Sequence, residues 1–165
     1  MNVQMIVKIC PVCGMDVDQD GWSEMHTGIK YVFCSSQCRD NFVERPLLYM
    51  GKHAKHENQR LMQRKFHLER FFDDPSQSDI VCEELSQMMG VKQVEIEGRE
   101  IRLTYDLFQC TAKQIEERLR QAGVRLGKGW ADKLKRGWMK YTEENELDNL
   151  LEQPKACCNR PPRKG

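Results

Sequence analysis

Four cysteines near the start of the chain have the types and spacing of a metal site. Cys10 and Cys13 enclose two residues, and Cys34 and Cys38 enclose three. The first pair can grip one ion from a tight turn. The second pair can present its sulfurs from the start of a helix, where the positive partial charge favours thiolate. Four thiolates are the ligand set of a tetrahedral structural zinc site, so we predict that these cysteines bind Zn²⁺.

Other interpretations of this region stay open on the residues alone. Cys10 and Cys13 are also spaced as a redox pair, although no thioredoxin-type helix follows them. A third interpretation is that all four thiols are reduced and bind no metal ion. His26 is a weaker candidate for a metal ligand, and the case for it strengthens if Cys10 does not bind the ion. His53 and His56, in a basic stretch, are expected to be solvated.

The other four cysteines fall into two classes. Cys157 and Cys158 are adjacent in a Pro-rich tail, and such a pair can capture a soft ion such as Cu(I). The alternative for this pair is a reactive tail without function. Cys82 lies inside a predicted helix and Cys110 just before another, and we interpret both as core thiols.

Composition narrows the class of protein. The chain has 165 residues, with 26 Lys and Arg against 25 Asp and Glu, and a net charge of +1. This balance argues against a nucleic-acid binder, although residues 52–64 and 128–140 are basic. No apolar run approaches the roughly 18 residues that span a membrane, and residues 1–9 lack a signal-peptide pattern. We therefore expect a cytoplasmic protein, where clustered thiols bind metal more often than they form disulfides.

The apolar pattern divides the chain into four segments and predicts an α+β protein. They are a metal-binding module at 5–50, a polar linker or helix at 51–64, a compact domain at 65–128, and an amphipathic helix with a tail at 129–165. About 45 residues bury too little apolar surface to fold alone, so a metal ion would supply folding free energy to the first segment.

Residues 65–128 have the periodicity of a βαββαβ, ferredoxin-like domain. Alternating strands flank a turn at Glu97-Gly98. One helix ends at Gly90, and another begins with a capping box of Thr111 and Gln114. The following helix carries a stripe of Trp130, Leu134, Trp138 and Tyr141. Such stripes are usually core, so we expect it to dock on the sheet or on the first module. The alternative is a partner-binding surface.

The first module resembles the YHS/TRASH family over about residues 8–51. The matching residues are Cys13-Gly-Met15, Tyr31-Val-Phe33-Cys34-Ser35, Cys38 and Phe42, with 20 residues between the first two of these cysteines. The resemblance implies a treble-clef-like zinc module in a metal-trafficking context. Many members have Asp at the position of Cys10. The fourth sulfur here closes the site, which favours a structural or tightly held ion.

Residues 65–128 are similar in length and order to the heavy-metal-associated domain of copper chaperones. That family binds metal through Met-x-Cys-x-x-Cys, and this chain has Asp73-Asp-Pro-Ser-Gln-Ser78 there. The family's metal site is therefore not carried over. We expect a docking scaffold, in which Cys157 and Cys158 could replace the lost pair.

Together these features predict a non-enzymatic cytosolic metal-binding protein for heavy-metal, copper-type trafficking, buffering or resistance. Its ions would be Zn²⁺ at the four cysteines and Cu(I) or another soft metal, and its partner a metal transporter or sensor. The alternative is an adaptor with purely structural zinc and a protein-binding helix at Trp130 and Trp138. No phosphate loop, zinc-protease motif or nucleophile elbow indicates an enzyme. The oligomeric state stays open.

Overall fold

The computed structural model describes residues 6–7, 9–17, 21–50 and 59–151. Helices and strands are both present, so the chain is an α+β protein as predicted. In chain order the elements are β1 (Ile6–Val7), β2 (Trp22–His26), β3 (Ile29–Phe33), α1 (Ser36–Glu44), a 3-10 turn (Pro46–Leu48), β4 (Leu61–His67), α2 (Pro75–Ser86), β5 (Val91–Glu97), β6 (Glu100–Asp106), α3 (Ala112–Gln121) and α4 (Trp130–Leu151). Within these described ranges, no helix is both long and apolar enough to cross a bilayer.

The N-terminal module is a small sheet with a helix packed on it. Its strand order is β1-β3-β2, with β1 parallel and β2 antiparallel to β3. Thr27 and Gly28 both have positive φ, of 48° and 81°, which suits the two-residue turn of a tight hairpin. From α1, Phe42 enters the core, whereas the next residue, Val43, is 54 % exposed because it lies one helical step away from the buried face.

The second sheet has the order β4-β6-β5, antiparallel throughout. A single bridge between Leu68 and Leu126 places the last segment beside β4, which completes the expected βαββαβ order. The predicted final strand is thus only a bridge. The core beside this sheet is formed by α2, α3, the inward faces of the strands and the residues that follow them. Its members are Phe66, Leu68, Val81, Leu85, Met88, Ile101, Leu103, Tyr105, Cys110, Ala112, Ile115 and Leu119.

β4 begins at Leu61, so residues 61–64 are strand and not the predicted linker or helix. Met62 and Arg64 alternate with exposed neighbours and lie on the half-buried face, and every residue of the strand is paired with β6. The polar composition conceals this strand, because Arg64 takes an inward position with its charge paired to Glu143 of α4.

α4 spans both modules. Its Met139 packs on the core of the second domain, and its Leu147 is buried in the core of the first module together with Leu107. Ion pairs connect α4 to the rest of the protein, among them Arg60 with Glu146 at 2.7 Å and Lys140 with Glu116 at 2.8 Å.

The docking expectation for the aromatic stripe is wrong. Trp130, Leu134, Trp138 and Tyr141 are 57 to 81 % exposed. The helix instead turns its mixed face inward, where Glu143 and Leu147 are buried. That face contributes Met139 and Leu147 to the two cores, and its charged side chains have ionic partners on the body of the protein.

Candidate metal centre

The first two cysteines lie on a closed turn. The Cys10 N–H donates to the Met15 carbonyl and the Gly14 N–H donates to the Cys10 carbonyl, both at 2.8 Å. Gly14 adopts a φ of 77°, a region in which glycine carries no steric penalty. The turn is held at its base by a bridge between Ile9 and Asp16. It therefore presents the sulfurs of Cys10 and Cys13 toward one point.

The second two cysteines lie where β3 meets α1. Cys34 directly follows the strand, and Ser35 caps the helix with its hydroxyl oxygen, which accepts a hydrogen bond from the Cys38 N–H at 3.2 Å. This is an ordinary N-cap, and it fixes Cys38 in the first helical turn. The β2–β3 hairpin and the Ser35 cap thus bring Cys34 and Cys38 close to the turn that carries Cys10 and Cys13.

The four sulfurs converge on one point. They all lie within 4.8 Å of one another. Cys34 Sγ is 3.4 Å from Cys13 Sγ and 3.6 Å from Cys38 Sγ. Tetrahedral zinc with bonds of about 2.3 Å places its sulfurs about 3.8 Å apart, whereas a disulfide bond is about 2.05 Å long. All four cysteines are free, and their arrangement fits a thiolate-bound metal ion.

The four ligands differ in their exposure. Cys10 and Cys38 are fully buried, and Cys13 and Cys34 are half-buried. Around the buried pair lie aromatic side chains of the module core, including Phe33 and Phe42. The cluster is therefore closed by protein on one side and reachable from solvent on the other.

The thiols share charge in the metal-free cluster. The pKa of Cys10 is lowered well below its usual range because its sulfur accepts hydrogen bonds from the thiols of Cys13 and Cys38. Donation to Cys10 raises the pKa of Cys13 to about 12 and strongly raises that of Cys38. One thiolate is thus held by neighbouring thiols, and burial opposes a second charge. A divalent cation would replace these shared protons and stabilise all four as thiolates.

Residues 9–46 match the family model of a C-terminal TRASH domain. That segment contains all four clustered cysteines, the hairpin and α1. No curated protein and no solved structure gives a significant match to the chain. The TRASH match and the sulfur geometry together identify the N-terminal module as metal-binding.

The structure separates the other predicted site residues from the cluster. His26 is not a member of the four-sulfur group, and its ring packs edge-on against Phe42 with centroids 5.8 Å apart. β2 places His26 against α1, so the structure does not bring it into the four-sulfur group, and its assignment as a weaker ligand stays a prediction. Cys157, Cys158, His53 and His56 lie outside the described residues.

The two isolated cysteines differ. Cys110 is a core thiol as predicted, and its burial raises its pKa to about 12. Cys82 is only half-buried on α2 and is not part of the second-domain core. Its interpretation as a core thiol is wrong, because the buried stripe of α2 runs through Val81 and Leu85 beside it.

Sequence reasoning missed the residues that join the metal module to the second domain. The Gln37 amide donates to the carbonyls of Met89 and Gln109, both at 2.8 Å, and Asn41 donates to Gln109 at 2.7 Å. The Tyr49 hydroxyl donates to the Phe108 carbonyl at 2.6 Å. The i, i+4 spacing of Gln37 and Asn41 on a short helix was the available signal.

Arg39 directly follows Cys38, but its guanidinium is engaged away from the sulfurs. It lies 4.7 Å from the ring centre of Trp22 and pairs with Asp40 at 2.8 Å. The main-chain N–H groups of Cys13 and Cys34 contribute at the cluster, since both lower the pKa of Cys10 by hydrogen bonding.

Proposed function

We propose that this chain is a non-enzymatic cytoplasmic protein that binds a thiophilic metal ion and hands it on, in copper-type trafficking, buffering or resistance. The observation that carries the proposal is the four-sulfur cluster with one buried and one accessible pair of ligands. The buried pair supplies affinity, and the accessible Cys13 and Cys34 give an incoming ligand a route to the ion.

Zn²⁺ is the ion that the four thiolates of this cluster fit best. Soft thiolate ligands also accept Cu(I), which takes lower coordination numbers and needs only two or three of these sulfurs. A metal transporter or sensor would be the partner in such an exchange. The partner's own thiols would first meet the two half-buried sulfurs, those of Cys13 and Cys34.

Metal analysis of the reduced, purified protein tests the proposal. We expect one zinc per chain, and displacement of that zinc when Cu(I) is titrated in as a buffered complex. Cys13→Ser and Cys34→Ser should speed the loss of zinc to a chelator, and Cys10→Ser and Cys38→Ser should abolish stable binding. Cys82→Ser is the matched control and should behave as wild type. A zinc that resists both chelator and Cu(I) would contradict a trafficking role.

The second candidate function is an adaptor whose zinc is only structural. The exposure of the aromatic stripe on α4 favours it, because large apolar side chains in solvent mark interaction surfaces. The same metal analysis separates the two: inert zinc with no uptake of a softer ion supports the adaptor.

A further inference from the structure

One face of α4 is an apolar surface that covers nothing in the described part of the chain. We name it the aromatic face, and its members are Trp130 (81 % exposed), Leu134 (65 %), Trp138 (66 %) and Tyr141 (57 %). The rings of Trp138 and Tyr141 lie 5.9 Å apart, and the four residues share one side of the helix over about three turns. The opposite face of α4 is held on the body of the protein, so the aromatic face points outward.

Charge is distributed along α4 in a self-complementary way. Lys133 and Glu144 are both exposed and lie eleven residues apart, about three turns, on the same edge of the aromatic face. Basic residues lie toward the start of the helix and acidic residues toward its end. Two such helices laid antiparallel bring opposite charges together at both ends, and their dipoles also oppose. Parallel helices would bring like charges together.

We propose that the aromatic face binds a second copy of this chain, with the two α4 helices antiparallel. A two-fold axis near Trp138 sets the two Trp138 rings together, Leu134 against Tyr141 of the other copy, and Lys133 against its Glu144. Gly137 lies beside this axis. Nothing in the described part of the chain lies within 4 Å of an added Cβ there, so no packing among those residues explains a helix-weakening glycine. A glycine at this position would let the backbone of a second helix approach closely, because it has no side chain in the way.

The available area suits such a dimer. Aromatic side chains bury about 150–250 Å² each, so three of them from each copy reach the ~1,000 Å² of a specific interface. An anionic lipid surface fits less well, because it would attract Lys133 but repel Glu144 on the same edge. In an antiparallel dimer, by contrast, Lys133 and Glu144 would each face an opposite charge on the other copy.

Sedimentation equilibrium of the full, zinc-loaded chain over a concentration series tests the proposal. A phosphine reductant excludes disulfide cross-links. We expect a reversible monomer–dimer equilibrium. Trp138→Glu should raise the dimer dissociation constant at least about 30-fold with an unchanged circular dichroism spectrum. Ile80→Glu, on an exposed position of α2 (59 %), is the matched control and should leave the equilibrium unchanged.

Charge reversal tests the orientation. Lys133→Glu and Glu144→Lys should each weaken the dimer about tenfold at low salt, and the double variant should restore it. A wild-type chain that stays monomeric, a dimer indifferent to Trp138→Glu, or a double variant without rescue would overturn the proposal. Binding to anionic vesicles without self-association would also overturn it. Zinc content should not change in any variant, so this proposal and the metal-handling function fail independently.

Discussion

Cys38 and Asn41 lie three residues apart on α1 and connect two different parts of the molecule. The Cys38 sulfur belongs to the four-sulfur cluster, whereas the Asn41 amide is bonded to the Gln109 carbonyl of the second domain at 2.7 Å. The helix that closes the metal site is therefore also the helix that joins the two modules. An ion that orders the first turn of α1 should order this junction as well.

Cys38→Ser should release the metal and loosen the junction. Cys38 is one of two fully buried ligands, and a serine oxygen is a poor replacement for thiolate in a four-sulfur site. We expect loss of stoichiometric zinc by native mass spectrometry, and faster hydrogen exchange at Gln109 and in α1. Wild type treated with a strong chelator should show the same exchange pattern, and Cys82→Ser should show neither change. Unchanged exchange at Gln109 would separate the metal from the junction.

Asn41→Ala should destabilise the fold while leaving metal binding intact. Asn41 donates to Gln109 and accepts from the Gln114 amide, so alanine removes one of the two hydrogen bonds to the Gln109 carbonyl and leaves the Gln114 amide without this acceptor. We expect the free energy of unfolding in urea to fall by about 1–3 kcal/mol. Gln93→Ala, an exposed amide on β5 bonded only to Glu95 by its side chain, should change it by no more than about 0.5 kcal/mol. Loss of zinc from folded Asn41→Ala would contradict this division of roles.

Glu143→Ala should be among the most destabilising changes in α4. The buried carboxylate accepts hydrogen bonds from the Tyr105 hydroxyl and from the Ala112 N–H at 2.7 Å, and it lies 3.6 Å from Arg64. Its removal leaves two buried donors without an acceptor and the half-buried Arg64 without this ionic partner. We expect a loss of about 3 kcal/mol by urea unfolding. Glu143→Gln should lose less, because it keeps one acceptor, and the exposed Glu95→Ala should lie near wild type.

Cys110 should make the protein less stable in alkali. Burial raises its pKa from 9.0 to about 12, and the charges of Glu143 and Asp106 add to the rise. Between these values the folded state keeps a proton that the unfolded state releases, so stability falls as pH rises through this window. Relative to Cys110→Ala, wild type should lose up to about 1.4 kcal/mol per pH unit above pH 9. Urea unfolding of both proteins at several pH values measures the difference, and parallel curves would refute it.

Local signals predicted the elements that hold the metal ligands. The Cys10–Cys13 turn, the helix start at Ser35 and the capping box at Thr111 each depend on a few neighbouring residues, and all three are present. The convergence of the four cysteines followed from the chemistry of thiolate ligands. These features need no knowledge of the rest of the chain.

Features that depend on distant partners escaped prediction. Arg64 is inward-facing because Glu143, 79 positions later, meets it, and composition alone assigns such a residue to a linker. The aromatic stripe of α4 was expected in the core because apolar area usually decides which face packs. Here the opposite face packs, with Met139 and Leu147 in the two cores and Lys140 paired with Glu116. Gln37 and Asn41 likewise gain their roles only from carbonyl groups of another domain.

The burial of Leu147 has a consequence for the order in which the protein can be completed during synthesis. The metal-binding cysteines leave the ribosome early, but the core that surrounds Cys10 and Cys38 also contains Leu107 and Leu147. Domains generally fold in the order of their synthesis. The core of this module is completed out of that order, because Leu147 is translated more than a hundred residues after Cys38. The core around the four thiols therefore lacks one of its sides until α4 has emerged.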